Sequence, residues 1–459
     1  MRDITMSNNR ATIYRPLSIG GTVEISSSSN VRYRYRRQIF AISLCLLCTI
    51  IPALLVAKEL FHLSVPNLLR TIFGTSSGRT GSSSTVCLSN ELFMNSSSRI
   101  DVMSLDLNYT ASSFTKTLTN IVVKDHEILS SGFYWDHNDA ETTKFRPQGV
   151  TTYHEPTNGD RFVLVSWYGR KDEGYSDRGG RVSFVNISDM NMHDHNNETT
   201  TSSSSSSEYF YTHVLLVDMN GCTLDNIHVG GIEQQNGTLY VADSRKGQQA
   251  ILEFDIGSDL YQLPADMNVL GYRYVLRQSS SFNSPIKPSF VSYDIDLDKF
   301  VIGTYARCGK KVGTHVDTEE CFTQPKNRIV WFDKHEDKNV NQTNSSDTIS
   351  NETDSCNWHY FSEMQGAVSA SVGNGTIIWI SSSYGPIADS HLHVVNASSS
   401  FIGECPQMDF ALDEIPIFQF PPGLEDLHIE QTTNERLMWM VTEFGTRRVF
   451  ATQLDDLLP

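Results

Sequence analysis

The stretch HVGGIEQQNGTLYVADSR, residues 228–245, contains the pattern that decides the fold. A polar residue and small residues open one short segment, a turn-forming Asn-Gly cluster follows, and an apolar, aromatic segment comes next. Such segments, bounded by turn residues, are typical of β-strands. The same pairing of a polar opening residue with a later aromatic or β-branched residue occurs five times along the chain. The pairs are Gln148 with Val163, His228 with Tyr240, Lys287 with Val301, Gln365 with Trp379, and Glu425 with Trp439.

These repeats have a period of roughly 60 residues once two polar runs, 189–207 and 335–355, are set aside as surface insertions. A unit of that length has room for about four short strands, and radial repetition of four-stranded units is a β-propeller. Two β-sandwiches are the structural alternative, but they do not predict this period. No long segment of 87–459 has the 3.6-residue periodicity of a helix. The sequence therefore predicts an all-β domain.

The number of blades stays open at this stage. Five repeats are counted directly, and residues 87–147 could supply a sixth, so we expect a five- or six-bladed β-propeller behind a single N-terminal transmembrane helix. The last repeat, 425–459, is too short for a complete blade. We expect a strand from the start of the domain, such as NIVVKDHEIL at 120–129, to complete it.

Polar residues open each repeat, where the innermost strands of a propeller surround a central channel. One polar group from each blade converging on a channel mouth would form a binding site. The candidate binding residues are Gln148, His228, Lys287, Gln365, Glu425 and Asp426. Three carboxylates could hold Ca²⁺, a cation that prefers oxygen ligands: Asp243, Asp426 and Glu443. The competing interpretation is that these residues only satisfy hydrogen bonds between blades.

Residues 39–57, IFAISLCLLCTIIPALLVA, contain no charge and are long enough to cross a bilayer. Seven basic and two acidic residues precede this segment, so the positive-inside rule places the N-terminus in the cytosol. We expect a cytoplasmic tail (1–38), a signal anchor (39–57), a Ser/Gly-rich stalk (58–86) and a lumenal or extracellular domain (87–459). A cleaved signal peptide is the alternative, but its apolar region is usually shorter.

Ten Asn-x-Ser/Thr sequences follow the apolar segment and none precedes it, as expected for a glycosylated outer domain. They are Asn95, Asn108, Asn186, Asn197, Asn236, Asn341, Asn344, Asn351, Asn374 and Asn396. Six cysteines also follow it, and in an oxidising compartment we expect them to form three disulfides. Fifteen pairings are possible, and Cys308 with Cys321 is the pair that we favour.

The formal charge of −17 has two unlike parts. The tail of 38 residues carries +5 and residues 58–459 carry −22. An acidic outer domain argues against nucleic acid as a partner. It leaves the membrane, and an unknown protein, glycan or small molecule, as the expected partners.

The sequence from Arg146 to about Leu454 resembles that of a set of secreted, poorly characterised bacterial propeller-like proteins. The phrases RPQGVTTYHE, RFVLVSWYG, HVGGIEQQNGTLYVADSR and MVTEFGTRRVFA carry this resemblance, which implies a fold without an established activity. The phrase LYVADS (239–244) is more loosely similar to strictosidine-synthase-like and gluconolactonase-like six-bladed propellers. That resemblance implies a type II anchored glycoprotein with a channel Ca²⁺, although their metal-ligand positions do not match here residue by residue.

Three functions are consistent with these observations. The first is a type II membrane glycoprotein whose propeller is a binding module, and the second is a calcium-dependent lactonase or esterase-like hydrolase. The third, a sugar-processing role in the secretory pathway, lacks a D-x-D motif followed by a nucleotide-binding α/β pattern. The sequence contains no P-loop, G-x-G-x-x-G or H-E-x-x-H, so whether the protein is an enzyme stays open.

Overall fold

The computed structural model describes residues 85–119, 127–171, 173–175, 178–190, 208–245, 247–267, 269–305, 310–312, 315–317, 328–334, 356–357, 363–373, 375–383, 385–386, 390–402, 405–408, 417–432 and 435–458. The chain divides after Gly81, so all of these residues belong to the second unit, Ser82–Pro459. The predicted tail, the anchor, nearly all of the stalk and most of both polar insertions lie outside them. Within the described ranges, no helix is long and apolar enough to span a membrane.

Strands make up most of the described chain, which confirms the all-β prediction. In the described part of the chain the complete helical elements are α1 (Asn90–Met94), α2 (His137–Glu141) and the 3₁₀ turns Ser96–Ser98, Val102–Ser104 and Leu454–Leu457. The first six strands are β1 (Tyr109–Thr119), β2 (Glu127–Tyr134), β3 (Phe145–His154), β4 (Arg161–Gly169), β5 (Gly180–Asn186) and β6 (Glu208–Val217). The next six are β7 (Val229–Gln235), β8 (Thr238–Asp243), β9 (Ala250–Asp255), β10 (Leu260–Gln262), β11 (Tyr274–Arg277) and β12 (Ser280–Asn283).

The second half of the described chain continues in the same way. Its third group is β13 (Phe290–Asp294), β14 (Lys299–Gly303), β15 (Lys310–Val312), β16 (His315–Asp317), β17 (Arg328–Phe332) and β18 (Cys356–Asn357). The fourth is β19 (Met364–Val372), β20 (Gly375–Ser382), β21 (Ser390–Ile402), β22 (Cys405–Met408) and β23 (Ile417–Phe420). The fifth is β24 (Leu424–Gln431), β25 (Arg436–Thr442) and β26 (Arg448–Gln453).

Each sequence repeat forms an antiparallel hairpin of its first two strands. The second-strand residues of all five pairs lie opposite first-strand residues: Val163 opposite Thr152, Tyr240 opposite Glu233, Val301 opposite Ser292, Trp379 opposite Val368, and Trp439 opposite His428. Further antiparallel strands extend each hairpin outward, giving the orders β3-β4-β5-β6, β7-β8-β9-β12, β13-β14-β17-β18, β19-β20-β21-β22 and β24-β25-β26-β2. Each sequence repeat therefore corresponds to one antiparallel sheet.

The first strands of the five groups form a closed ring. Strand β3 packs beside β7, β7 beside β13, β13 beside β19, β19 beside β24, and β24 beside β3. Glycine permits this close approach, since a Cβ on Gly230 would lie 1.8 Å from the carbonyl oxygen of Ser289 in the neighbouring group. A Cβ on Gly366 would lie 2.9 Å from the Cα of Asp426. The described chain is thus an all-β, propeller-like arrangement.

Hydrophobic cores fill the spaces between neighbouring sheets. The repeated second-strand residues belong to four such cores. Trp439 and Val163 share one core, and the other three residues lie in three different cores, namely Tyr240, Val301 and Trp379. All five are buried, and burial of a large apolar side chain contributes about 2–3 kcal/mol. The aromatic or β-branched member of each pair is therefore needed for packing between sheets.

The start of the domain completes the sheets of its neighbours. Strand β2 pairs with β26 and so adds a fourth strand to the last repeat, as expected, although residues 120–126 lie outside the described chain. Strand β1 pairs with β2 and with β6, so residues 87–147 form no separate sheet within their described part. A disulfide joins Cys87 to Cys222.

Candidate functional site

Backbone bulges occur at the start of the first strands, where the sequence predicts the binding residues. The pairing register shifts in β3, β7, β19 and β24. Gln148 lies within the shift in β3, Gln365 within that in β19, and Glu425 and Asp426 within that in β24. Because a bulged residue leaves the regular ladder, its side chain can take a different direction from its neighbours.

Two other predicted residues lie just outside the strands. His228 comes directly before β7 and Lys287 three residues before β13, and both are exposed. The ring of His228 stacks on that of Tyr168 with 3.9 Å between centroids. The charges of Glu443, Arg146 and Lys287 all act on His228, so residues from four sheets are close here. We call the group formed by Gln148, Tyr168, His228, Glu425 and Glu443 the channel site.

Glu425 is a buried carboxyl at the centre of the channel site, only 2% exposed. Burial raises its pKa well above the ordinary value, and the adjacent charge of Glu443 raises it further. Hydrogen bonds link Glu425 to Glu443 and to Gln148. Its Oε1 atom has no hydrogen-bond partner among the described residues. The environment of Glu425 therefore favours the neutral carboxyl, and its Oε1 is an unused acceptor.

Glu443 follows β25 and is held by two groups from the first repeat. Arg146 Nη1 lies 2.6 Å from its Oε1, and the Tyr168 hydroxyl donates to the same oxygen at 2.9 Å. Burial and the Glu443 charge raise the pKa of Tyr168, so this hydroxyl keeps its proton. The Arg146 guanidinium also lies over the Phe444 ring, 4.6 Å from its centroid. The negative charge of Glu443 is thus matched locally.

Asp426 is fully buried beside Glu425 and ties three first strands together. Its Oδ2 accepts from the backbone N–H of Val150 in β3 at 3.2 Å and of Ile232 in β7 at 3.1 Å. Burial raises its pKa well above the ordinary value. The Oδ1 atom has no partner within the described part of the chain. Asp426 therefore has a structural role and a second unused acceptor.

A histidine network that the sequence reasoning missed lies further along the ring. His428 Nε2 lies 2.9 Å from the Thr152 hydroxyl, and its Nδ1 lies 3.2 Å from Glu233 Oε2. Asp426 and His428 occupy alternate positions of β24, as does Glu430, and all three are buried. A polar residue at every second position of an innermost strand would have been the signal in the sequence.

Glu430 ends this polar row and is paired with two bases. His154 Nε2 lies 2.7 Å from its Oε1, and Arg161 Nη2 lies 2.9 Å from its Oε2. The Trp439 indole N–H donates to Oε2 at 2.7 Å. Despite burial, the hydrogen bond from His154 and the charge of Arg161 lower the pKa of Glu430 to about 2. This end of the ring therefore contains an ionised, fully partnered carboxylate.

The remaining candidates are separate from the channel site or are less closely connected with it. Asp243 ends β8 and is paired with Arg245, whose Nη2 lies 2.6 Å from its Oδ2. Gln365 is half-buried. Among the described residues, no group of three or more His, Cys, Asp or Glu side chains is arranged to hold a metal ion. The predicted metal candidates Asp426 and Glu443 thus lie at the channel site, whereas Asp243 is held by its own arginine.

The predicted modification sites are partly within the described chain. Asn95, Asn108, Asn236 and Asn396 are exposed, and Asn186 is half-buried. The other five sequons, Asn197, Asn341, Asn344, Asn351 and Asn374, lie outside the described residues. Cys308 and Cys321 also lie outside them, so the pairing that we favour stays a prediction. The disulfide between Cys87 and Cys222 connects cysteines 135 positions apart, a pairing that the sequence left open.

Comparison with known proteins gives distant structural similarities only. No protein family model matches the sequence, and no curated protein matches it. One similar solved structure is the hydrazine synthase of Kuenenia stuttgartiensis, with 10% identity, coverage of 68% of this chain and 80% of that one, and a TM-score of 0.28.

Two further solved structures show the same level of similarity. A GH43 β-xylosidase/α-arabinofuranosidase from a compost microbial metagenome has 12% identity, coverage of 68% and 92%, and a TM-score of 0.31. TolB from Acinetobacter baumannii has 8% identity, coverage of 76% and 65%, and a TM-score of 0.26. Similarity at this level supports no functional argument, so the function is argued from the site.

Proposed function

We propose that this protein is a single-pass type II membrane glycoprotein whose lumenal or extracellular domain is a five-bladed β-propeller. The propeller acts as a binding module for a neutral ligand rich in hydroxyl groups, such as a glycan. The closed ring of five first strands and the hydrophobic cores between neighbouring sheets support five blades. The binding function rests on the channel site.

The observation that carries this proposal is a pair of unused acceptors in a site that also has an exposed ring. Glu425 Oε1 and Asp426 Oδ1 are buried without a partner in the described chain, and buried acceptors ordinarily receive a hydrogen bond from a bound group or from water. His228 offers an exposed ring stacked on Tyr168, whose hydroxyl is linked through Glu443 to Glu425. Stacking on a ring beside hydrogen-bonding groups suits the alternating apolar and hydroxyl surface of a sugar.

The charge balance of the channel site favours a neutral ligand. Glu425 keeps its proton, and the charge of Glu443 is matched by Arg146. An ionic ligand would therefore find no strong unmatched charge at the centre of the site, whereas hydroxyl groups would find both donors and acceptors.

Glycan binding by purified full-length protein tests this function. On an array of neutral oligosaccharides, wild-type protein should bind a defined subset, and His228→Ala should weaken that binding at least about tenfold because the stacking ring is lost. His137→Ala is the matched control, since His137 is an exposed histidine on α2 outside the channel site. Binding to no neutral glycan, or equal loss in both variants, would overturn the proposal.

The membrane orientation has its own test. Four sequons on the described surface are exposed and so accessible to modification. Protein from a eukaryotic host should lose several glycans on glycosidase digestion, with a clear shift in mobility. Unchanged mobility would contradict the proposed lumenal or extracellular location.

A calcium-dependent lactonase or esterase-like hydrolase is the alternative. The unused carboxyl oxygens of Glu425 and Asp426 favour it, since they are hard oxygen donors on adjacent residues. Metal analysis of the purified protein tests it. Stoichiometric Ca²⁺ that is lost in Glu425→Gln and Asp426→Asn would support the hydrolase, whereas a calcium-free protein that stays folded in chelator would refute it.

A further inference from the structure

A cavity lies away from the channel site, against the outer strands of the first sheet. Its volume is about 410 Å³, and residues of β1, β3, β5, β6 and the segment 270–273 line it. None of the channel-site residues is among them. Its described lining contains four cationic side chains and no carboxylate: Lys144, Arg178, Arg181 and Arg273. We call this cavity the basic pocket.

Two of the four cations are available to a ligand. Lys144 and Arg178 are exposed, and neither forms an ion pair with any residue that the structure describes. Both lie over the Tyr175 ring, with 5.1 Å from Lys144 Nζ and 5.6 Å from the Arg178 guanidinium carbon to the ring centroid. An aromatic ring thus holds two positive charges at the mouth of the pocket without neutralising them.

The third cation, Arg181, is buried and held in one position. It is 7% exposed, and its Nη2 donates to Asp139 Oδ1 at 2.6 Å. Its guanidinium lies over the rings of Phe145 and Trp167, at 4.5 Å and 4.8 Å from their centroids. Its Nε–H has no partner among the described residues. Arg181 therefore gives the wall of the basic pocket a guanidinium that is held in one position.

A histidine network fixes Asp139 and therefore Arg181. His213 Nε2 lies 2.8 Å from Asp139 Oδ2, and Ser183 Oγ lies 2.8 Å from His213 Nδ1. Although a Ser-His-Asp order can activate a nucleophile, Ser183 is fully buried and its oxygen also accepts from the Trp167 indole N–H at 2.7 Å. The network positions Arg181 instead.

The basic pocket is lined by cations, whereas the domain around it has a net negative charge. Residues 58–459 carry −22, yet two unpaired cations, Lys144 and Arg178, line one cavity that also has tyrosine rings on its walls. The other two cations of its lining are ion-paired, Arg181 with Asp139 and Arg273 with Asp106. A small anion alone would leave much of the cavity empty, whereas the volume is of the size expected for a sugar. We propose that the basic pocket binds an anionic sugar, namely a sugar carrying a sulfate or phosphate ester.

Calorimetric titration of the full-length protein tests this proposal. Because Asn108 also lines the pocket and is a predicted glycosylation site, endoglycosidase treatment precedes the titration. The probes are galactose 6-sulfate, galactose 6-phosphate, galactose and inorganic sulfate. One of the two esters should bind at least about tenfold more tightly than galactose and than inorganic sulfate, and its affinity should fall with rising ionic strength. The preferred ester identifies the anion.

Variants locate the binding. Lys144→Gln with Arg178→Gln should weaken ester binding at least about tenfold, since two charge-assisted contacts are lost at exposed positions that the fold does not need. Arg328→Gln, which removes an exposed charge from β17, is the matched control and should bind as wild type. Ester binding no tighter than that of galactose or inorganic sulfate, or unchanged in the double variant, would overturn the proposal.

Discussion

Glu425 and Asp139 are both carboxyl groups buried at polar sites, yet their pKa values move in opposite directions. Burial raises the pKa of Glu425, and the neighbouring charge of Glu443 adds to that shift. Burial would also raise the pKa of Asp139, but the charge of Arg181, followed by the interaction with His213, holds it well below the ordinary range. The channel site therefore favours the neutral form of its buried acid, whereas the network beside the basic pocket favours the ionised carboxylate.

Both carboxyls are buried, so the difference between their pKa values comes from the neighbouring charge, which is a cation beside Asp139 and an anion beside Glu425. Arg181 Nη2 lies 2.6 Å from Asp139, whereas the arginine of the channel site, Arg146, is paired with Glu443. A cation at hydrogen-bond distance favours the ionised form of a buried carboxyl by more than desolvation disfavours it. A buried carboxyl without such a partner has only the cost of desolvation, and its pKa rises. The same fold thus builds one neutral and one cationic site.

Removal of Asp139 is expected to have the largest effect on stability. Asp139→Ala leaves Arg181 buried without its anion, and breaking a buried ion pair in this way costs about 3–5 kcal/mol. Urea denaturation of the variant should show a loss in that range. Asp106→Ala is the control, because its pair with Arg273 is more than half exposed and should contribute less than about 1 kcal/mol. Equal losses in the two variants would show that Asp139 is not the counterion of a buried charge.

Acidification should weaken the same network by a somewhat smaller amount. Burial and the charge of Arg181 lower the pKa of His213 to about 4, against 6.5 in the unfolded chain. Because the unfolded state takes up the proton first, stability falls as the pH drops from about 6.5 to about 4, by on the order of 3 kcal/mol.

Denaturation curves at pH 7, 6, 5 and 4 measure this loss, and His213→Gln should lose about half of the slope, because His393 contributes a similar slope over the same range. His393, whose pKa is lowered to about 3 by burial and then by His391, should leave a residual slope. A slope unchanged in His213→Gln would contradict the assignment.

Glu425→Gln should change stability by an amount that depends on pH. The raised pKa means that the unfolded state loses its proton first, so wild-type stability falls as the pH rises from about 4.5 towards the folded pKa. The amide cannot ionise, so the variant should be more stable than wild type at pH 8 and nearly equal to it at pH 4.

Glu443→Gln sharpens this comparison, since it removes the ionised partner of Arg146 and should destabilise the protein at pH 8. Thermal denaturation of both variants at the two pH values provides the measurement. A Glu425→Gln variant that is less stable than wild type at pH 8 would mean that Glu425 is ionised there.

The repeat of sheets could be predicted from the sequence because its cause is local. Each repeat alternates apolar residues along two short strands joined by a turn, and the second-strand residue, such as Trp379 or Trp439, packs between sheets. The role of residues 87–147 could not be predicted from pattern alone. Strand β1 pairs with β6 of the first repeat, and β2 pairs with β26 of the last repeat. Which sheet edges are open to these strands is determined only when the ring closes.

The candidate site was predictable in position but not in chemistry. Gln148 and Glu425 could be placed at the strand starts because a polar residue breaks the apolar pattern there. The sequence gives no reason for Arg146 to neutralise Glu443, 297 positions away, or for Asp139 to meet His213 and Arg181. The basic pocket was missed for the same reason, since its cations come from separate elements of the chain.

The sequence by itself determined the all-β class, the repeated hairpin and the polar opening of each repeat, because strand periodicity and turn chemistry act over a few neighbouring residues. The tertiary structure alone decided which sheets the first strands complete, which buried acid keeps its proton and where four cations face one cavity. These properties depend on distances of a few ångströms between residues far apart in the chain. Such distances exist only once the ring has closed.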